Sequence, residues 1–187
     1  MRFLFSVVLL AGMVPCSLGQ VSQGGFFQVS VMCATESRRG WARVFANRSE
    51  GWKVYDALAT IPADSTADVA QVWRGPFGNT LVLVTEKEHG VSSATTYCFQ
   101  PDGALLAIDH QLQTEWGWGH GTQKRTAQGK IETVYSHFVD LRSGREVKYP
   151  NRLKHRSEVK LDVPTYWKFA EMPFAPLFEP LKDSEKY

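Results

Sequence analysis

Hydrophobic and polar positions between residues 69 and 147 fall into short runs of strand length separated by turn signals. Apolar or β-branched runs cover Ala70–Trp73, Thr80–Thr85, Ala94–Phe99, Ala104–Gln113, Lys130–Val139 and Arg145–Tyr149. Spacing of this kind predicts an antiparallel meander, because runs of strand length recur between turn signals. The sharpest joint is Gln100-Pro101-Asp102-Gly103. There proline presets φ and glycine accepts positive φ, so the flanking runs are expected to pair. Ala127-Gln128-Gly129 and Arg142-Ser143-Gly144 repeat the signal more weakly. Within 130–141, Ile131, Thr133, Tyr135, His137 and Val139 share one face of an expected strand, and Glu132, Val134, Ser136, Phe138 and Asp140 the other.

The N-terminal third is less regular. Residues 26–32 alternate as a strand would, whereas 36–58 is ambiguous: Trp41, Val44 and Phe45 have helical spacing, and Trp52 and Val54 suit an extended run. The expected fold is therefore mainly β, becoming α+β if that stretch is helical, with an antiparallel meander sheet or incomplete barrel at its centre. After Pro164, Tyr166, Trp167, Phe169, Phe174 and Phe178 are interleaved with Pro173, Pro176 and Pro180. These prolines forbid a long helix. A segment this aromatic is expected to close one side of the sheet, so 164–187 reads as a tail packed on the domain.

The first nineteen residues change the picture most. Arg2 is followed by an apolar run from Phe3 to Val14 and by Ser17-Leu18-Gly19. That run falls short of the ~20 residues a spanning helix needs. With small residues before Gln20, it reads as a secretory signal peptide cut between Gly19 and Gln20. Cys16 as a lipidated first residue fits less well, because Pro15 precedes it. Residues 20–187 then form a single exported domain of 168 residues, secreted or periplasmic, with no transmembrane segment in the mature chain. In an oxidising compartment Cys33 and Cys98 are expected to form a disulfide; the alternative is a pair of buried thiols.

Charge narrows the partners little. The mature chain carries 20 basic and 19 acidic residues, with a locally positive stretch over 142–160. Interleaved glutamates there suit a solvated strand edge better than a nucleic-acid surface, so no nucleic-acid partner is expected.

Catalytic signatures are absent: no Gly-x-Ser-x-Gly, His-Glu-x-x-His, Walker or dinucleotide glycine pattern occurs. An enzyme is therefore less favoured than a binding protein, and no cofactor or metal is expected. Asp109, His110 and His120 are the residues best placed to ligate zinc, but His89, His110 and His120 read as strand-end or turn residues exposed to water. His137 reads as a partly buried, hydrogen-bonded side chain. The most distinctive segment is Trp116-Gly117-Trp118-Gly119-His120-Gly121. In extended form its two indoles would share one face, offering a stacking platform for a carbohydrate or an apolar ligand. Burial of both indoles as packing is the simpler alternative. Trp116, Trp118 and His120 are the candidate ligand-binding residues.

The function expected is a non-enzymatic binding or envelope-associated module. The alternatives are a hydrolase of extracellular polymers using Asp109 or Glu115 for acid–base work, and a carrier of an apolar ligand. Asn47-Arg48-Ser49 matches a glycosylation acceptor.

Overall fold

The protein folds as one nine-stranded antiparallel sheet, seen in a computed structural model that describes residues 33, 42–48, 50–62, 68–75, 77–88, 90–147 and 163–178. The strands are β1 (Ala42–Arg48), β2 (Gly51–Tyr55), β3 (Val69–Arg74), β4 (Thr80–Glu88), β5 (Val91–Phe99), β6 (Leu105–Gln113), β7 (Gly117–Arg125), β8 (Ile131–Asp140) and β9 (Arg145–Val147). Their order is β2-β1-β3-β4-β5-β6-β7-β8-β9, so the sheet is a meander with one N-terminal hairpin turned back, and it does not close into a barrel. Within the ambiguous stretch the described residues form the β1–β2 hairpin, followed by a 3-10 turn at Leu58–Thr60, while 36–41 lie outside the described residues; the helical spacing of Val44 and Phe45 is overridden by pairing on both sides of β1. The leader expected over 1–19, the strand expected over 26–32, His89, His155 and the basic stretch beyond 147 lie outside the described residues.

The expected hairpin at Gln100–Gly103 forms. Gly103 takes φ 81°, its amide bonds Gln100 O at 2.9 Å, and Asp102 Oδ1 accepts from the Ala104 amide at 2.9 Å. One strand was not anticipated. β7 has glycine at three of its first five residues and carries no apolar run, yet it pairs along its length with β6 and β8. The extended alternation expected for β8 also breaks. Thr122 opposes Tyr135 while Gln123 opposes Thr133, so Val134 is an extra, exposed residue. This bulge flips the strand's faces. Ile131 consequently packs on the core, while Tyr135 and His137 look out on the other side.

Both faces of the sheet are used. On the first, Phe45, Val72, Val82, Tyr97, Phe99 and Ile108 form the main core, and the C-terminal tail lies across them. The tail adds to the sheet at Ala104, which bridges Lys168; the Leu105 amide bonds Trp167 O at 2.9 Å, and the Phe169 amide bonds Gly103 O at 2.9 Å. Phe174 stacks on Phe45 at 5.0 Å, Phe169 meets Phe99 edge-on at 5.7 Å, and the Tyr97 hydroxyl donates to Pro164 O at 3.0 Å. Trp167 departs from the pattern and stays exposed. Proline limits helix here to two single 3-10 turns, at Phe169–Glu171 and Ala175–Leu177. The second face carries a smaller cluster in which Cys33 and Cys98 form the expected disulfide, with Cα atoms 5.7 Å apart and Leu81 and Ala107 beside them. Among the described residues, no helix is long and apolar enough to cross a membrane.

Candidate functional site

Register builds the site on the cysteine-bearing face. Cross-strand partners there fall into rows: Lys87, Ser92, Gln113 and Trp118 in one; Thr85, Ala94, Gln111, His120 and His137 in the next; Leu83, Thr96, Asp109, Thr122 and Tyr135 in the third. Side chains on β4 and β5 in these rows are mostly small, those on β7 and β8 large and aromatic. The difference in height leaves a half-open trough of about 560 Å³. Thr85, Ser92 and Ala94 line it on one side and Trp118 and His120 on the other, with Leu141 also contributing; most of the lining surface is apolar.

Glycine makes the aromatic wall possible. Gly117 and Gly119 put no side chain on the core face, and a Cβ at Gly117 would lie 2.2 Å from Cζ of Phe138. The Phe138 ring therefore occupies the space a side chain would need, while Trp118 and His120 project the opposite way. The turn leading into β7 is closed by Thr114. Its hydroxyl donates to Gly117 O and accepts from the Gly117 amide, both at 2.9 Å.

The two indoles do not form a common platform. Trp118 meets His137 edge-on at 4.8 Å and lines the trough, whereas Trp116 packs with Phe138, whose ring faces the core side, at 5.6 Å. Trp116 sits in the turn before β7, where the strict alternation assumed for an extended segment does not apply. Trp118 remains 37% exposed, which leaves its ring available for contact.

Histidine placement also differs from the expectation of solvated strand ends. Asp109, His110 and His120 are all paired within strands, and Asp109 and His110 are buried. His110 faces the core, with Nδ1 2.8 Å from Thr95 Oγ1. Asp109 and His120 face the trough side, and His120 Nε2 is 2.6 Å from Asp109 Oδ1. A diagonal pair on adjacent strands is within reach of such side chains. The trio suggested for zinc is thus split between opposite faces. Asp109, 1% exposed, is satisfied by further donors: Thr122 Oγ1 at 2.8 Å and Gln111 Nε2 at 3.5 Å. Glu115 is an exposed residue of the turn and does not line the trough.

Burial sets the charge state of two imidazoles. Desolvation holds the pKa of His110 down at about 4, against an opposing pull from Asp109. Desolvation and the neighbouring His120 lower that of His137. Both rings are therefore neutral near pH 7, and both keep one buried nitrogen, Nε2 of His110 and Nδ1 of His137, without a hydrogen-bond partner. For His137 the expected hydrogen bond is replaced by ring contacts, to Trp118, to Tyr135 at 4.9 Å and to His120 at 5.9 Å. Asn47 lies within β1, and its side-chain amide donates to Asp68 Oδ2 at 3.4 Å.

No protein-family model matches the chain, and no curated protein or solved structure matches it significantly.

Proposed function

We propose that the chain is an exported, non-enzymatic binding domain that holds a small, largely apolar molecule in the trough between β4 and β7. The trough itself carries the reading: about 560 Å³ lies within the usual range for small-ligand sites, and a mostly apolar lining with a few polar groups is their usual composition. Trp118 supplies a flat, partly exposed surface at one end. Export is supported by the Cys33–Cys98 disulfide, since such bonds persist in oxidising compartments. A polymer hydrolase has less support. It would need two carboxylates facing each other across a cleft, and Glu86 is the one acid among the described lining residues.

Native mass spectrometry of protein recovered from its own source tests this directly. A small-molecule adduct that is lost on denaturation, and that a Trp118→Ala variant carries at lower occupancy, is the expected result. Protein that is ligand-free as isolated and takes up no apolar probe would overturn the proposal.

A further inference from the structure

The trough has a polar end, and its chemistry is set by Asp109. As a carboxylate Asp109 only accepts hydrogen bonds, so the 2.6 Å contact requires that Nε2 of His120 carries the hydrogen. In the neutral form of the ring the lone pair then lies on Nδ1. No described residue bonds that nitrogen, and it is not among the buried unpartnered atoms, whereas His120 as a whole lines the trough. Thr122 and Gln111 fix the carboxyl from its other sides, and Tyr135, His137 and Trp118 brace the rings. The result is a preorganised acceptor at the edge of an apolar space.

We infer that His120 is the polar anchor of the trough, with Asp109 as its positioning residue, and that the ligand class is an apolar, ring-bearing molecule with a hydroxyl or N–H donor. This rests on the trough being the ligand site. The ring body lies against Trp118 and the donor bonds Nδ1 of His120; ligands offering only an acceptor leave that bond unmade.

Two probes with the same ring body, 2-naphthol and 2-methoxynaphthalene, separate these statements when titrated calorimetrically into the full-length, disulfide-bonded protein near pH 7.5. The expected result is about tenfold tighter binding of 2-naphthol, the scale of one hydrogen bond made or lost. His120→Ala brings the two affinities together by weakening 2-naphthol. Asp109→Leu removes the acceptor of the Nε2 hydrogen, so the tautomer is no longer fixed and the preference for 2-naphthol shrinks, a change in selectivity that loss of packing alone would not produce. Imidazole nitrogen NMR of the unmodified protein gives an independent readout should that variant fail to fold: His120 is expected with hydrogen on Nε2, and hydrogen on Nδ1 would overturn the inference. If both probes bind equally and Trp118→Ala weakens both, the trough stands and the anchor falls. If neither binds, or Trp118→Ala changes neither, the trough reading fails and the anchor with it.

Discussion

His110 and His120 lie ten residues apart in neighbouring strands and do opposite things, because a strand sends successive side chains to opposite faces. His110 is packed into the core and kept neutral by desolvation, so it titrates at about 4 instead of 6.5. The sign follows from that depression. Between pH 6.5 and 4 the unfolded chain binds a proton that the folded chain refuses, so stability falls as pH falls through this window and levels off below it. His137, also lowered, acts in the same direction. Urea unfolding at pH 7.5 and pH 4.5 is expected to show a loss on the order of 2–3 kcal/mol at the lower pH attributable to His110. A His110→Gln variant should lose that part of the pH dependence; an unchanged slope would show that carboxylates elsewhere account for it. Gly117 is a second residue whose role is steric. With Phe138 Cζ 2.2 Å from the position of an added Cβ, Gly117→Ala is expected to cost about 2 kcal/mol, read as a lower melting temperature.

At the scale of elements, the tail is the clearest dependency. Met172 and Phe174 are each 1% exposed, and Tyr166, Phe169 and Phe178 pack around them on the core. Burying three or more such side chains is worth roughly 5–9 kcal/mol before entropy is subtracted, against a typical net stability of about 5–15 kcal/mol. A chain ending at Val163 is therefore expected to lose its cooperative melt by circular dichroism and to aggregate, because Phe45 and Phe99 would face water. The tail was legible in advance because its aromatic content leaves no soluble alternative, and the meander was legible wherever turn residues with positive φ marked the joints, as at Gly103, Gly129 and Gly144. β7 was not, because a run of Gly-Trp-Gly-His-Gly has neither β-branched residues nor a hydrophobic face to betray it; it is held as a strand by pairing with β6 on one side and β8 on the other. The site went only partly unseen. Trp118 and His120 stood out as residues, and Asp109 was set beside His120 only as a member of a zinc trio; its place as the fixed hydrogen-bond partner of His120, without His110, follows from a diagonal pairing across β6 and β7. The bulge at Val134, which turns Tyr135 and His137 toward that partner, has no local signal at all.

On the scale of the whole molecule, an open sheet with edges at β2 and β9 must cover two faces with one short chain. The tail covers one, and the other is held by a smaller cluster around the Cys33–Cys98 disulfide, next to the trough in the same strands. Among the described residues, Cys33, Leu81, Cys98 and Ala107 form that cluster, with the covalent link at its centre. It also joins a residue upstream of β1 to the penultimate residue of β5, across a separation of 65 residues. For a loop of that length, constraint of the unfolded chain is worth about 4 kcal/mol in the entropic model. The same bond adds nothing directly to the trough wall, which is built by register within β4–β7. The two effects are thus separable. A Cys33→Ser, Cys98→Ser double variant is expected to unfold at distinctly lower urea concentration than the oxidised protein, and to match the wild type measured under reducing agent. At low urea, while still folded, it should bind an apolar probe with affinity close to that of the oxidised protein. Equal stability of the two forms would show that the small cluster suffices on its own; lost binding in a folded variant would show that the disulfide shapes the trough as well as stabilising the face beside it.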